Sequence, residues 1–437
     1  MPWRSAMSRS GRSGPLSSPK RHAVAIDLGT TTIAAALVEL ESGEIRARSG
    51  CLNPQRRRGL DVIARLEYAC RSAANRAELQ TLVNGELCRL VLDLAGMAGV
   101  EPSGLDQVAI AGNPTMSHLL LGLPVESLAH PPYRPKHPGS HRVNTGDLGW
   151  PVQLPAYVFP SPGGFVGGDT VAFLYGLGFP EPGAMSPEPA LFLDLGTNGE
   201  MALLANGKIY ATSAAAGPAF EGGNLSCGMA ALPGAIDSVS ADAGRLAWTT
   251  VAGARPVGVC GSGVLDAIAL LLSEGVLDGT GRLLAPHEVD SPLGSRLEEN
   301  NGELHFVLYR DAAGTVSISQ GDVRQVQLAK GAVRAGMEVL LAKGGVTAGD
   351  LAAVVLTGSF GAALRLQSLK SIGVLTENMV INARFIREGA LAGVIRSLID
   401  ANAADEVDRL ASGLRIIPLS GTPLFERHFL EQMNFHQ

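Results

Sequence analysis

The chain has 437 residues, more than one hydrophobic core usually organises, so two or three domains are expected. Hydrophobic residues make up 46% and charged residues 17%, which excludes a wholly disordered chain. The net charge is −6 and no basic stripe runs through the sequence, which disfavours nucleic-acid binding.

Cysteine content and apolar runs bear on where the protein works. The five cysteines form no C-x-x-C pair, so neither a disulfide framework nor a self-contained iron–sulfur site is expected, and a reduced cytoplasmic setting fits best. No run of about eighteen apolar residues predicts a membrane span. Residues 1–21 are basic, rich in Ser and Gly and without an apolar signal core, so they are predicted to form a disordered tail.

The first predicted unit is a strand, His22–Ile26, that ends in the turn Asp27-Leu28-Gly29-Thr30-Thr31-Thr32. A second unit of the same kind follows far along the chain. There the strand Ala190–Leu193 ends in Asp194-Leu195-Gly196-Thr197-Asn198-Gly199. Each turn leads into another apolar strand and a hairpin, and Asn206-Gly207 is a strong hairpin signal in the second unit.

A second pair of segments supports an internal duplication. The strand Val108–Asn113 and the strand Val354–Gly361 each end in a small polar turn, and a helical run follows each. Repeats of this kind predict two related α/β halves with a cleft between them. The predicted halves are residues 22–185 and residues 186–437, the second with an inserted subdomain.

Two helices are predicted in the second half. One spans Val264–Glu274 and stops at Gly275. The other begins near Asp322, a plausible N-cap, and ends at Gly344-Gly345 as a C-cap.

The two Asp-Leu-Gly-Thr turns have the chemistry of a phosphate site. Glycine lets the backbone bend around a phosphate, successive N–H groups form an anion-binding concavity, and threonine hydroxyls add hydrogen bonds. A carboxylate at the strand end would face a phosphate only with Mg²⁺ between them, so Asp27 and Asp194 are predicted to position Mg²⁺, most simply through water. One such turn alone is also common as a plain structural turn.

These turns and two further motifs resemble those of a known superfamily. The paired turns resemble the phosphate-1 and phosphate-2 motifs of actin, the heat-shock chaperone ATPases and the sugar kinases. Thr357–Gly361 resembles their adenosine motif, and Ala216–Gly223 resembles a glycine loop near their phosphates. The resemblance implies a duplicated actin-like ATPase (ribonuclease H-like) α/β fold around a nucleotide cleft.

A narrower resemblance covers about residues 22–432. Six motifs in this order resemble the ATP-dependent reductive activators of corrinoid proteins. They are Gly112–Met116, Gly167–Asp169, Asp194–Glu200, Ala216–Gly222, Gly258–Gly263 and Asp322–Lys330. The resemblance implies an ATPase that docks on a corrinoid protein or corrinoid methyltransferase and drives its cobalt from Co(II) to Co(I).

The resemblance has one departure. Typical members carry an iron–sulfur domain, whereas the residues before His22 contain no Cys and no cluster motif follows the body. No iron–sulfur cluster is therefore expected in this chain, and a separate donor such as a ferredoxin would supply the electron. Cys227 and Cys260 lie in family-like motifs, where they could share a cluster across a homodimer or could simply be small buried residues.

The resemblance and the residue types together assign individual roles. Asp169 could orient the attacking water or could cap the helix Val171–Leu177. Lys330 could close the adenine side or could be exposed on a solvated helix face. Glu200 and Glu221 are further candidates that could equally be structural. The predicted nucleotide ligands are Gly29, Thr30, Thr31, Thr32, Gly196, Thr197, Asn198, Gly199, Gly217, Gly222, Gly223, Lys330, Gly358, Ser359 and Phe360.

Two other functions remain open from the sequence. The same phosphate clamp would serve a sugar or carboxylate kinase, although no acceptor-specific pattern is present. It would also serve a nucleotide-dependent binding module that does not hydrolyse ATP.

Overall fold

The computed structural model describes residues 21–179, 188–242, 244–358 and 364–435. The predicted tail therefore lies almost wholly outside the described residues, as does the predicted boundary between the halves at residue 185. Across the described part of the chain, we find no helix whose length and apolar character would let it span a bilayer.

The first half is built on a six-stranded sheet. Its strands are β1 His22–Leu28, β2 Thr32–Glu39, β3 Ile45–Leu52, β4 Leu105–Gly112, β5 His141–Asn144 and β6 Pro155–Val158. Their order is β3-β2-β1-β4-β6-β5, with β1 antiparallel to β2 and parallel to β4. Its helices are α1 Val62–Cys70, α2 Ala73–Ala98, α3 Pro114–Leu121, α4 Glu126–Ala129 and α5 Gly168–Gly176.

The second half repeats the order of five of these six strands. Its strands are β7 Ala190–Leu195, β8 Gly199–Ala205, β9 Lys208–Ala214, β10 Ala235–Asp242, β11 Arg245–Thr250, β12 Gly258–Val259, β13 Leu297–Asn300, β14 Glu303–Asp311, β15 Gly314–Ser319, β16 Ala353–Thr357, β17 Ala383–Phe385 and β18 Leu414–Ile416. The large sheet has the order β17-β16-β7-β8-β9-β18, again with an antiparallel hairpin partner and a parallel neighbour for its central strand β7. The predicted duplication is confirmed.

An inserted subdomain separates β9 from the last part of the second half. It contains the small sheets β11-β10-β12 and β13-β14-β15, with α6 packed on β10. The helices of the second half are α6 Gly261–Ser273, α7 Gln320–Gly344, α8 Leu366–Ser371, α9 Glu377–Ile381, α10 Gly389–Ile399, α11 Ala403–Gly413 and α12 Pro423–Glu431.

Helices α5 and α10 pack against each other between the two large sheets and join the halves through one apolar cluster. Glycines permit this close contact: a Cβ on Gly176 would lie 2.8 Å from the nitrogen of Gly393, and a Cβ on Gly393 would overlap the carbonyl of Ala172. The first turn of each helix lies at the cleft. Asp169 lies in the first turn of α5, and Glu388 immediately precedes α10.

Helix α7 corrects one sequence prediction. Its N-cap is Ser319, whose hydroxyl accepts from the Asp322 nitrogen at 3.1 Å. Asp322 is instead the third helical residue and closes a capping box by accepting from the Ser319 nitrogen at 2.9 Å. The predicted C-cap is confirmed, because Gly345 has φ +66°.

Candidate functional site

The two Asp-Leu-Gly-Thr turns meet across the cleft. The hydroxyl oxygens of Thr31 and Thr197, one from each half, lie 2.8 Å apart. Between the turns is a cavity of about 80 Å³. Of the predicted site residues, it brings together Asp27, Gly29, Thr30, Thr31, Thr32, Asp169, Asp194, Gly196, Thr197 and Asn198.

Five carboxylates line this cavity: Asp27, Asp169, Asp194, Glu200 and Glu221. Among the described residues that line it, none is Lys or Arg. Burial, followed by repulsion from Asp169 and Glu221, raises the pKa of Asp194 to about 7. Burial raises the pKa of Asp169 to about 6, and burial and neighbouring acids hold the pKa of Asp27 well above its usual range. Burial and mutual repulsion therefore disfavour the ionised form of these carboxylates, and a bound cation would offset that repulsion.

The donor set suits Mg²⁺. All the charged groups are carboxylates, the hard oxygen ligands that Mg²⁺ prefers. Within the described ranges, no group of three or more His, Cys, Asp or Glu side chains is placed to ligate a metal directly. Mg²⁺ usually keeps several of its waters, so a site of this kind would hold it through water, as predicted for Asp27 and Asp194.

The first turn is braced by donors from its own half. Arg65 donates to the Thr30 carbonyl at 2.6 Å, and Asn53 donates to the Gly29 carbonyl at 2.9 Å. Asn113 donates to the Thr30 hydroxyl oxygen at 2.9 Å, which leaves the Thr30 proton available to another acceptor. Arg65 is fully buried on α1, and burial lowers its pKa to about 10. The sequence analysis missed Arg65, because one arginine in an amphipathic helix carries no local signal of its role.

The second turn is braced by an acceptor. Thr197 donates to Glu221, and Thr31 donates to the same carboxylate oxygen at 3.2 Å. Within the turn, the Gly196 nitrogen donates to the Asn198 carbonyl at 3.1 Å. Glu221, which was only a further candidate from the sequence, therefore contacts both turns.

Asp169 does not cap α5. The N-cap is Gly167, and Asp169 is the second residue of the helix. Its carboxylate accepts from the Thr170 nitrogen at 2.7 Å and lines the cavity with the other acids. The helix-cap interpretation is therefore wrong.

Several predicted nucleotide ligands lie outside the phosphate cavity. Gly199 packs on α7, where a Cβ would lie 2.8 Å from Val333. Gly217, Gly222 and Gly223 shape the backbone around Glu221 and do not line the cavity. Their predicted role as nucleotide ligands therefore stays a prediction.

Lys330 is also placed elsewhere. It is fully buried, and its ammonium donates to the carbonyls of Gln432 and Asn434 at 2.7 and 2.6 Å. Burial lowers its pKa to about 8. Both earlier interpretations, an adenine contact and an exposed lysine, are corrected: Lys330 binds the C-terminal segment.

A larger cavity of about 700 Å³ adjoins the phosphate cavity, and both are lined by Thr31, Thr32 and Glu221. Gly358, predicted to approach adenosine, lines this larger cavity and has φ +146°. Arg48 of β3 pairs with Glu388 across it and so joins the two halves. Ser359 and Phe360 lie outside the described residues.

The two cysteines in family-like motifs contact the backbone around them. Cys260 is buried at the start of α6, with its sulfur 3.4 Å from the Ile236 carbonyl. The sulfur of the half-buried Cys227 accepts from the Ser317 nitrogen at 3.5 Å. This packing favours the small-residue interpretation for Cys260.

Comparison with known families gives two matches along the chain. Residues 188–437 match the family described as the C-terminal domain of RACo, the ASKHA domain, and residues 22–181 match the RACo middle region. ASKHA is the actin, chaperone and sugar-kinase superfamily, so the predicted fold class and resemblance are confirmed.

Individual relatives agree. The chain is 31% identical over 422 residues to the corrinoid activation enzyme RamQ of Eubacterium limosum, covering 95% of this chain and 70% of the relative. It is 25% identical to a Methanosarcina barkeri reductase of a methylated amine-specific corrinoid protein, covering 80% and 65%. A solved reductive activator for a corrinoid, iron–sulfur protein superposes with a TM-score of 0.87 at 29% identity, covering 96% and 67%.

Proposed function

Because the chain belongs to the RACo family, we propose that it is a Mg-ATP-dependent ATPase that docks on a corrinoid protein and drives its reduction from Co(II) to Co(I). The observation that carries the ATPase part is the cluster of five carboxylates facing two phosphate-type turns, with no lysine or arginine among the described residues that line the cavity. The corrinoid part is supported by the relatives, which act on corrinoid proteins.

Each residue of the cavity has a task in this proposal. Asp27 and Asp194 would hold Mg²⁺ through water, and the ion would offset the charge of the phosphates. The Thr30 hydroxyl donates to a phosphate oxygen, because Asn113 already fills one of its acceptor positions. Asp169 orients a water and takes its proton, a role suited to a carboxylate whose pKa lies near 6.

The adjoining 700 Å³ cavity is the place for the nucleoside. It begins at the phosphate turns and reaches Gly358, whose positive φ brings backbone close to the cavity. Arg387 lines the same cavity, as does the pair of Arg48 and Glu388. This assignment keeps the predicted adenosine role of the segment that begins at Gly358.

The electron is supplied from outside the chain. ATP and water give ADP and phosphate, while one electron passes from a low-potential donor such as a ferredoxin to Co(II). ATP-linked docking offsets the unfavourable reduction by changing the environment of the cobalt. The proposal places the protein in the cytoplasm, as a homodimer, because none of the five cysteines forms a C-x-x-C pair or a disulfide framework.

The test is a reconstituted reduction. The purified protein is mixed with a corrinoid protein from the same source, a low-potential reductant and Mg-ATP, and Co(I) is followed by its absorbance while phosphate release is measured. We expect Co(I) with ATP and none with ADP. Absence of Co(I) with the wild-type protein contradicts activation, and Co(I) without phosphate release indicates a binding module instead. The relatives named above act on corrinoid proteins, so the kinase alternative is not favoured.

A further inference from the structure

Glu221 is the one described side chain found to accept hydrogen bonds from both phosphate turns. Its Oε2 atom accepts from Thr31 of the first half at 3.2 Å and from Thr197 of the second half. The two hydroxyl oxygens are themselves 2.8 Å apart. One carboxylate oxygen and two hydroxyls therefore form a triangle that spans the cleft.

The backbone around Glu221 is tightly held. Glu221 ends the short 3₁₀ helix Pro218–Glu221, which lies between Gly217 at φ +76° and Gly222 at φ +81°. A Cβ on Gly222 would lie 2.5 Å from the Met229 carbonyl, and a Cβ on Gly261, the first residue of α6, would overlap the Phe220 carbonyl. The carboxylate is thus fixed to the inserted subdomain through its backbone.

Proton counting separates the threonines by task. A threonine hydroxyl has one proton, and a proton donated to Glu221 is not available to a phosphate. The two protons of Thr31 and Thr197 serve the three contacts of the triangle, so these threonines tie the halves, while the Thr30 hydroxyl, which accepts from Asn113, keeps its proton for the anion.

We propose that Glu221 is a positioning residue that sets the spacing of the two phosphate turns and joins that spacing to the inserted subdomain. It acts through Thr31 and Thr197, whose hydroxyls donate to its carboxylate. This inference rests on the proposed Mg-ATP binding, and it adds a residue whose role is closure of the cleft.

The test is a double-mutant cycle on intrinsic ATP hydrolysis, measured without a corrinoid protein. The variants are Glu221→Ala, Glu221→Gln, Thr31→Val and Glu221→Ala with Thr31→Val, with Glu299→Ala on the exposed strand β13 as the control. We expect kcat/KM for Mg-ATP to fall about tenfold in Glu221→Ala. In Glu221→Gln it should stay within about threefold of the wild-type value, because the amide can still form a hydrogen bond with a threonine hydroxyl.

The decisive readout is coupling. Thr31→Val should lower kcat/KM in the wild-type background but change it less than about twofold in the Glu221→Ala background. Additive effects, or a lower thermal midpoint with unchanged kcat/KM, overturn the proposal. If Glu221→Ala does not fold, the cycle is run with Thr31→Val and Thr197→Val, which remove the two donors to Glu221 and should be coupled in the same way.

The order of measurements separates this proposal from the function it rests on. If the wild-type protein binds no Mg-ATP, both are overturned. If it binds and hydrolyses Mg-ATP but yields no Co(I), only the corrinoid function fails. If hydrolysis is normal and Glu221→Ala equals the control, only the role of Glu221 fails.

Discussion

The two phosphate turns are nearly identical in sequence but are held in opposite ways. The first turn is held by donors from its own half, the side chains of Asn53, Arg65 and Asn113. The second turn is held by an acceptor, Glu221, and its strand pairs Asp194 directly with Glu200. The cavity is therefore asymmetric. Side-chain donors hold the conformation of the first turn, whereas carboxylates lie around the second turn, where a bound cation would offset their charge.

The strongest test of this asymmetry compares the two strand-end aspartates. We expect Asp194→Asn to lower Mg-ATP hydrolysis by about 10²–10³-fold, because it removes a group that positions Mg²⁺. Asp27→Asn should lower it too, but less, because the strand partner of Asp194 is another acid, Glu200, whereas the strand partner of Asp27 is Ala34. The measurement is steady-state phosphate release over a range of Mg²⁺ concentrations. Unchanged hydrolysis in Asp194→Asn would refute the metal assignment.

The bracing of the first turn is tested at Arg65. Arg65→Met leaves the carbonyls of Thr30 and Gly59 without their donor, so we expect a loss of about 2–4 kcal/mol in the free energy of unfolding. Denaturant unfolding measures this loss. Arg71→Met, at an exposed arginine that ends the same helix, is the matched control and should change stability by less than about 0.5 kcal/mol. Equal effects at the two positions would show that Arg65 does not brace the turn.

The acids around the second turn predict a pH dependence. The pKa values of Asp194 and Asp169 are raised to about 7 and about 6, from an ordinary value of 3.8. Their contribution to stability is therefore full below about pH 4 and is lost as the pH rises through 6 and 7. Without Mg²⁺ and nucleotide, the thermal midpoint should fall by a few degrees between pH 5 and pH 8.

Asp194→Asn provides the control for that pH series. It should flatten the slope and raise the midpoint at pH 8, because one ionisable group has been removed from the cluster. A midpoint that rises with pH in the wild-type protein would contradict the raised pKa values.

The smallest expected effect is at Asn113. Its side-chain oxygen accepts from the Met116 nitrogen and caps α3, while its side-chain nitrogen donates to Thr30. Asn113→Ser keeps a side-chain oxygen for the cap but removes the amide donor, so kcat/KM should fall about threefold to tenfold with little change in stability. Asn113→Ala removes both and should lower stability by about 1 kcal/mol as well. If both variants keep full activity, orientation of the Thr30 hydroxyl does not matter.

Much of the site followed from local sequence. A strand, a Gly-Thr turn and a hairpin are encoded within about ten residues, so Asp27 and Asp194 could be identified as a matched pair. The cavity does bring together these two residues, Asp169, and most of the turn residues. Arg65 and the shared contact at Glu221 could not be predicted in this way, because each depends on partners far away in the chain.

Lys330 and Asp169 also show what the local sequence could not predict. The pattern placed Lys330 on a helix, which is correct, and Asp169 before a helix, whereas Asp169 is the second residue of α5. In neither case did it predict the surroundings of the side chain. Packing of the C-terminal segment on α7 buried Lys330, and helix α5 began one turn earlier than predicted, at Gly168.

By itself, the sequence determined the duplicated α/β halves, the two phosphate turns and the family resemblance, because these depend on short-range patterns of apolar residues, glycines and turns. Only the tertiary structure decided which carboxylates converge, which threonines tie the halves and which glycines merely shape the backbone. Those outcomes depend on how two sheets and an inserted subdomain close on each other, and burial and charge are set there by residues that lie far apart in the chain.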